Sequence, residues 1–130
     1  MNPMVLLRHE TPDNGHHFDW MLSRDGDADP LITFRSGVRI DIECTPGASL
    51  ERLPDHRRHY LTFEGELSHN RGRVTRVATG RCNIIQETSD RLELDSDWEG
   101  APTLRITIEQ TTPDAEWIIR SITQPPEDRR

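Results

Sequence analysis

Two imidazoles and a carboxylate, those of His9, His17 and Asp19, are the side chains in this chain best suited to shared chemistry. Neutral imidazole nitrogens and a carboxylate oxygen hold divalent transition metals. A set of only three leaves coordination positions open for water or a ligand, which separates a working centre from a closed structural one. The competing explanation is a pair of solvated histidines with Asp19 paired to an arginine.

The metal reading requires a particular local structure. Between the histidines lies Glu10-Thr11-Pro12-Asp13-Asn14-Gly15-His16, in which Pro12, Asp13, Asn14 and Gly15 each have a physical reason to sit in a turn. Phe18, Trp20 and Leu22 alternate with His17, Asp19 and Met21. A strand here therefore buries the first set and projects the second from its other face. The apolar run Met4-Val5-Leu6-Leu7 predicts the preceding strand, which sets His9 across the hairpin mouth from His17. His16 then points to the opposite side and is left out of the ligand set.

With 130 residues the chain has room for one domain. Only 32% of residues are hydrophobic and 30% are charged, so the core must be economical, and short alternating strands meet that need better than thick helices. Every one of the 16 basic residues is arginine. That suits bidentate contacts to carboxylate or phosphate, and it is equally what a GC-rich genome would produce. The net charge of −7 argues against non-specific wrapping of nucleic acid. The imbalance is uneven: residues 1–86 carry 11 arginines against 12 carboxylates, and residues 87–128 carry 3 against 11. Polar chemistry on an anion therefore belongs to the first two thirds. Cys44 and Cys82 form no zinc-ribbon pattern and are expected as buried free thiols. The first residues lack the apolar core of a signal peptide, and no run approaches membrane-spanning length. A soluble, cytoplasmic protein with no membrane partner is expected.

Further strands are predicted at Leu31–Phe34, Val38–Ile42, Leu61–Phe63, Val74–Gln86 with an interruption at Gly80, Arg91–Asp95, Leu104–Ile108 and Trp117–Ile122. Glu43–Pro54 reads as a connecting loop with at most a helical turn over 48–52. No helical period is convincing. Together these features predict a mainly β chain, a compact antiparallel β-barrel with little helix, occupying residues 1–123, with 124–130 as a disordered tail.

Two blocks of sequence carry a resemblance. The first is His9 followed by His17-Phe18-Asp19-Trp20-Met21-Leu22, and the second is Leu53-Pro54-Asp55-His56-Arg57-Arg58-His59-Tyr60-Leu61-Thr62-Phe63-Glu64-Gly65. In this order the pair resembles the 3′-phosphoesterase domain of bacterial DNA ligase D, over a span from His9 to Gly80. The resemblance implies a β-barrel with a bound divalent metal, manganese first and zinc as the alternative. It also implies removal of a 3′-phosphate or 3′-ribonucleotide from DNA or RNA-tailed primer ends in end repair, beside a separate ligase or polymerase. It makes His9, His17 and Asp19 metal ligands, and sets His56 and Tyr60 on the scissile phosphate as catalytic residues. Two features depart from the family: the loop between His9 and His17 is about two residues longer, and Met21 stands where the family has a phosphate-gripping arginine. Arg35 is a candidate phosphate contact, and Arg52, Arg57, Arg58 or Arg71 could supply that grip, with Arg35, Arg52 and Arg71 preferred. Asp55 is expected to orient His56 or an arginine, and Glu64 to be a structural acceptor. The alternative function is a non-catalytic metal-containing module that binds nucleic-acid ends or another phosphorylated ligand.

Overall fold

A computed structural model describes residues 1–26 and 28–126. The tail expected over 124–130 is described only to residue 126, where the chain has no regular structure; residues 127–130 lie outside the described residues.

The strands are β1 (Asn2–Glu10), β2 (His16–Leu22), β3 (Leu31–Ser36), β4 (Ser49–His56), β5 (Gly65–Glu66), β6 (Arg73–Glu87), β7 (Arg91–Trp98), β8 (Leu104–Gln110) and β9 (Trp117–Thr123). One single-turn 3-10 helix, Arg58–Leu61, is the only helix among the described residues. The sheet runs β1-β2-β3-β4-β9-β8-β7-β6, and β6 pairs back onto β1, so the antiparallel sheet closes on itself as a ring. Closure satisfies the edge groups that an open sheet would expose. The narrowest seam is β4–β9, held by the pairs Ser49↔Ile118 and Leu50↔Trp117. No helix among the described residues is long and apolar enough to cross a membrane.

Alternation along the strands divides the apolar residues between two clusters. Met4 and Leu6 of β1, Phe18, Trp20 and Leu22 of β2, and Ile32 and Phe34 of β3 point into the ring, where they meet Leu50, Trp98, Ile108 and Trp117. Val5 and Leu7, with Met21, Leu31 and Val74, form a second cluster on the outer face, capped by Tyr60 and flanked by Leu61, Phe63 and Leu67. The continuous run Met4–Leu7 is thus buried on both faces of one strand.

Four expectations from the sequence need correction. Val38–Ile42 is a turn rather than a strand: the Ile42 and Glu43 N–H groups both donate to the Arg39 carbonyl, at 3.1 and 2.8 Å, and Ile40 plugs the core. Residues 49–54, expected within a loop, belong to β4, which runs on to His56. Pro54 is tolerated there because β4 has no β9 partner beyond Leu50. Leu61–Phe63 is no strand, because its apolar side chains fold down over the outer cluster. Gly80 does not interrupt β6. It marks a close approach, since a Cβ there would lie 2.6 Å from the Asp97 carbonyl oxygen and 3.0 Å from the Trp98 Cα.

Candidate metal centre

The β1–β2 hairpin builds the centre. Its register pairs His9 with His17 and Leu7 with Asp19, so the three side chains share the outer face in adjacent rows. The loop is closed by hydrogen bonds from Thr11 N–H to the Gly15 carbonyl (2.9 Å) and from Asn14 N–H to the Thr11 carbonyl (3.1 Å). Asn14 takes the left-handed conformation at φ 69° that such a turn requires. The Asp13 carboxylate accepts from the Thr11 hydroxyl and, at 3.0 Å, from the Gly15 N–H. These bonds hold the Asp13 carboxyl below its usual range, the Thr11 hydroxyl contributing most. The loop closes with the pairing intact through Glu10↔His16.

The donor atoms converge. His9 Nδ1 lies 2.9 Å from His17 Nε2, His17 Nε2 lies 3.4 Å from Asp19 Oδ1, and His9 Nδ1 lies 3.5 Å from Asp19 Oδ2. All three ligand atoms fall within 4.8 Å of one another. Atoms bound at about 2.1 Å to one ion are separated by about 3.0 Å in octahedral and about 3.4 Å in tetrahedral geometry. The two nitrogens are already at such a spacing, and each has an Asp19 oxygen at a comparable distance, Oδ1 for His17 and Oδ2 for His9, so small side-chain adjustments bring the three residues onto one ion.

Polar satisfaction points the same way. Asp19 is 4% exposed, and its Oδ1 is buried with no hydrogen-bond partner. His17 Nε2 at 3.4 Å and the Arg35 Nε at 3.6 Å lie beside it, neither within hydrogen-bonding geometry, and a cation between the imidazoles would give this oxygen a direct contact. His17 is held below its usual pKa, chiefly by burial, with Arg35 and His9 adding to the effect against Asp19 and Glu51. The neutral ring that metal binding needs is therefore favoured. His9 Nε2 meets the Arg71 carbonyl oxygen at 2.7 Å, an outer contact of the kind that commonly fixes a metal-binding histidine. The residues thus fit a divalent metal.

Of the other candidates, Arg35 adjoins this centre, whereas Arg52 shares the inward-facing side of the sheet with Phe34, its β3 partner, and does not. Arg35 is paired across the sheet with Asp19, and its Nε lies 3.6 Å from Asp19 Oδ1. Arg52 stacks its guanidinium over the rings of Phe34 and Trp117 at 5.4 and 5.8 Å, and pairs with Asp55 at 3.2 Å. Arg71 turns its guanidinium back onto Ser68, donating to the carbonyl at 2.9 Å and the hydroxyl at 3.0 Å. His56 and Tyr60 meet each other, with ring centroids 5.7 Å apart. His56 sits opposite Leu31, four residues along β3 from Arg35, which places its backbone about 13 Å down the strand from the row of Asp19. Tyr60 is nearer, buried among Val5, Leu7 and Met21 of the same outer face. The His56 Nδ1 proton is committed to the Pro54 carbonyl at 2.7 Å, so Nε2 is its free nitrogen. Met21 is 1% exposed within the outer cluster and presents nothing to a ligand. Asp55 joins Arg24 at 2.9 Å as well as Arg52, which accounts for it as an arginine partner. Cys44 and Cys82 are free, and burial raises both thiols to about 11.

Two contributors had no side-chain signature in the sequence: the Arg71 carbonyl, and Glu51, which faces Arg35 across β3–β4. Beside the centre opens a cleft of about 1300 Å³, with His17 and Arg35 at one end, running over the short β4–β9 seam. Its walls carry the carboxylates Glu51, Asp55, Glu87, Asp114 and Glu116 against the arginines Arg35 and Arg52. No protein-family model matches this chain, and no curated protein matches its sequence.

Proposed function

We propose that this domain is a divalent-metal module that captures a phosphorylated ligand, a nucleic-acid 3′ end in the first instance, on the outer face of its ring-closed sheet. The observation that carries the proposal is the convergence of His9 Nδ1, His17 Nε2 and the buried Asp19 carboxylate, whose Oδ1 accepts no hydrogen bond, with one ligand atom from each residue within 4.8 Å of the others. When bound, manganese or zinc would supply charge neutralisation and polarisation of a phosphoryl oxygen. Arg35, about a third exposed beside Asp19, is the cation placed to meet a second phosphoryl oxygen. The carboxylate-rich cleft disfavours a polyanion lying along it. Recognition of a terminus suits it better than tracking a strand.

A second reading is hydrolysis at this site, as the sequence resemblance to the 3′-phosphoesterase domain of DNA ligase D implies. Water would add to phosphorus, the bond to the 3′ oxygen would break, and the leaving oxygen would gain a proton. What favours it is the packing of Tyr60 against His56 and into the outer-face cluster that adjoins the metal ligands.

The experiment is a manganese titration followed by binding and turnover with a primer bearing a 3′-phosphate. Metal-dependent binding with the primer unchanged supports the module. Phosphate release that disappears in His56→Ala and Tyr60→Phe supports the enzyme. Absence of metal uptake overturns both.

A further inference from the structure

We propose that Arg71 is a positioning residue acting through its main-chain carbonyl, so that His9 meets the metal with Nδ1 while His17 presents Nε2. The inference rests on the metal-binding reading above and goes beyond it by assigning the ligating atom and the turn that enforces it.

A carbonyl oxygen only accepts, so the 2.7 Å contact with Arg71 requires the proton of a neutral His9 ring to sit on Nε2. The lone pair is then on Nδ1, the nitrogen that lies 2.9 Å from His17 Nε2 and 3.5 Å from Asp19.

The turn between β5 and β6 is built to deliver that carbonyl. Gly72 has φ +98°, and a Cβ on it would fall 1.9 Å from the Glu10 carbonyl oxygen and 2.9 Å from its carbon. Those are backbone atoms of β1 next to His9 and cannot swing aside, so only glycine lets the turn approach this closely. His69 and Asn70 adopt left-handed conformations at φ 61° and 53°. The turn is closed by Leu67 N–H donating to the Gly72 carbonyl at 2.8 Å, and the Arg71 guanidinium is bonded back to Ser68. The Arg71 side chain stiffens the turn, and its carbonyl sets the ring.

Loss of an outer-shell partner of this kind typically weakens metal binding about 10–100-fold. The test is long-range nitrogen–proton NMR of the imidazoles in the zinc-loaded full chain, with zinc affinities of the wild type, Gly72→Ala and Arg71→Ala. The expected spectrum shows His9 with a protonated Nε2 and a metal-bound Nδ1, and His17 with the reverse. Gly72→Ala should weaken zinc binding within that range, and Arg71→Ala, which keeps the carbonyl, should weaken it less. Ligation of His9 through Nε2, or a folded Gly72→Ala protein with wild-type affinity, overturns the assignment and leaves the metal centre standing. A wild-type protein that takes up no zinc overturns the centre itself. The wild-type spectrum decides the assignment even where Gly72→Ala does not fold.

Discussion

The two faces of the β1–β2 hairpin are made by the same strands, one residue out of phase, and they are built to opposite ends. Inward, Met4, Leu6, Trp20 and Leu22 are fully buried in contact with other apolar side chains. Outward, the same strands carry His9, His17 and Asp19, with a carboxylate oxygen that finds no protein hydrogen bond. The inner face buries apolar side chains, whereas the outer face carries apolar packing at Val5, Leu7 and Met21 and, toward the hairpin mouth, polar groups in an arrangement that stability alone does not explain. The difference teaches that the centre is held in place by the core behind it. The ligands' spacing is fixed by a register that inward packing enforces, because slipping by one residue would turn Trp20 outward.

The largest effect should come from the inner face. Trp20→Ala removes a fully buried ring packed near Phe34 and Trp98 and should cost about 3–5 kcal/mol, measured by denaturant unfolding. The folded fraction should still bind metal. On the outer face, adding manganese or zinc at about 100 times its dissociation constant should stabilise the wild type by about 2.7 kcal/mol. The same addition should leave the melting temperature of His17→Ala unchanged. Met21→Leu sharpens the boundary between the faces, since Met21 belongs to the packed outer cluster. A loss below about 1.5 kcal/mol with unaltered metal affinity is expected.

The smallest effect lies away from the hairpin, where Arg24 donates to both Glu87 oxygens at 2.7 Å and to Asp55. Those hydrogen bonds hold the Glu87 carboxyl below its usual 4.5. A depressed folded value means that the pair's contribution is present above the unfolded pKa and disappears as pH falls through the lower folded one. Arg24→Ala should therefore cost under about 1 kcal/mol near neutrality and less as Glu87 protonates, with the Pro30 carbonyl contact at 3.1 Å unaffected by pH; unfolding curves over an acidic pH series would measure the decline.

Much of the hairpin was legible in the sequence, because Phe18, Trp20 and Leu22 alternate strictly and the intervening turn formers fix its ends. The pairing of His9 with His17 follows from that alternation. The outer cluster was not legible. Val5 and Leu7 sit in an unbroken apolar run, which tells that both faces are covered and not by what. The segment covering them, Leu61–Phe63, has strand-like composition, and its folding over the outer face depends on contacts distant in sequence. β4 was obscured by Pro46, Gly47 and Pro54, residues that punctuate loops unless a sheet offers a neighbour on one side only. The Arg71 carbonyl had no signature, since any residue carries one; only Gly72 beside it hinted at a close approach.

The most direct test of the centre is the metal content of chelator-stripped protein after reconstitution and desalting, with the wild type beside Asp19→Asn. One manganese or zinc ion per wild-type chain and none in the variant is the predicted result, with the metal-free variant at least as stable as the metal-free wild type. A wild-type chain that retains no ion, or an Asp19→Asn chain that retains the same amount, would contradict the account.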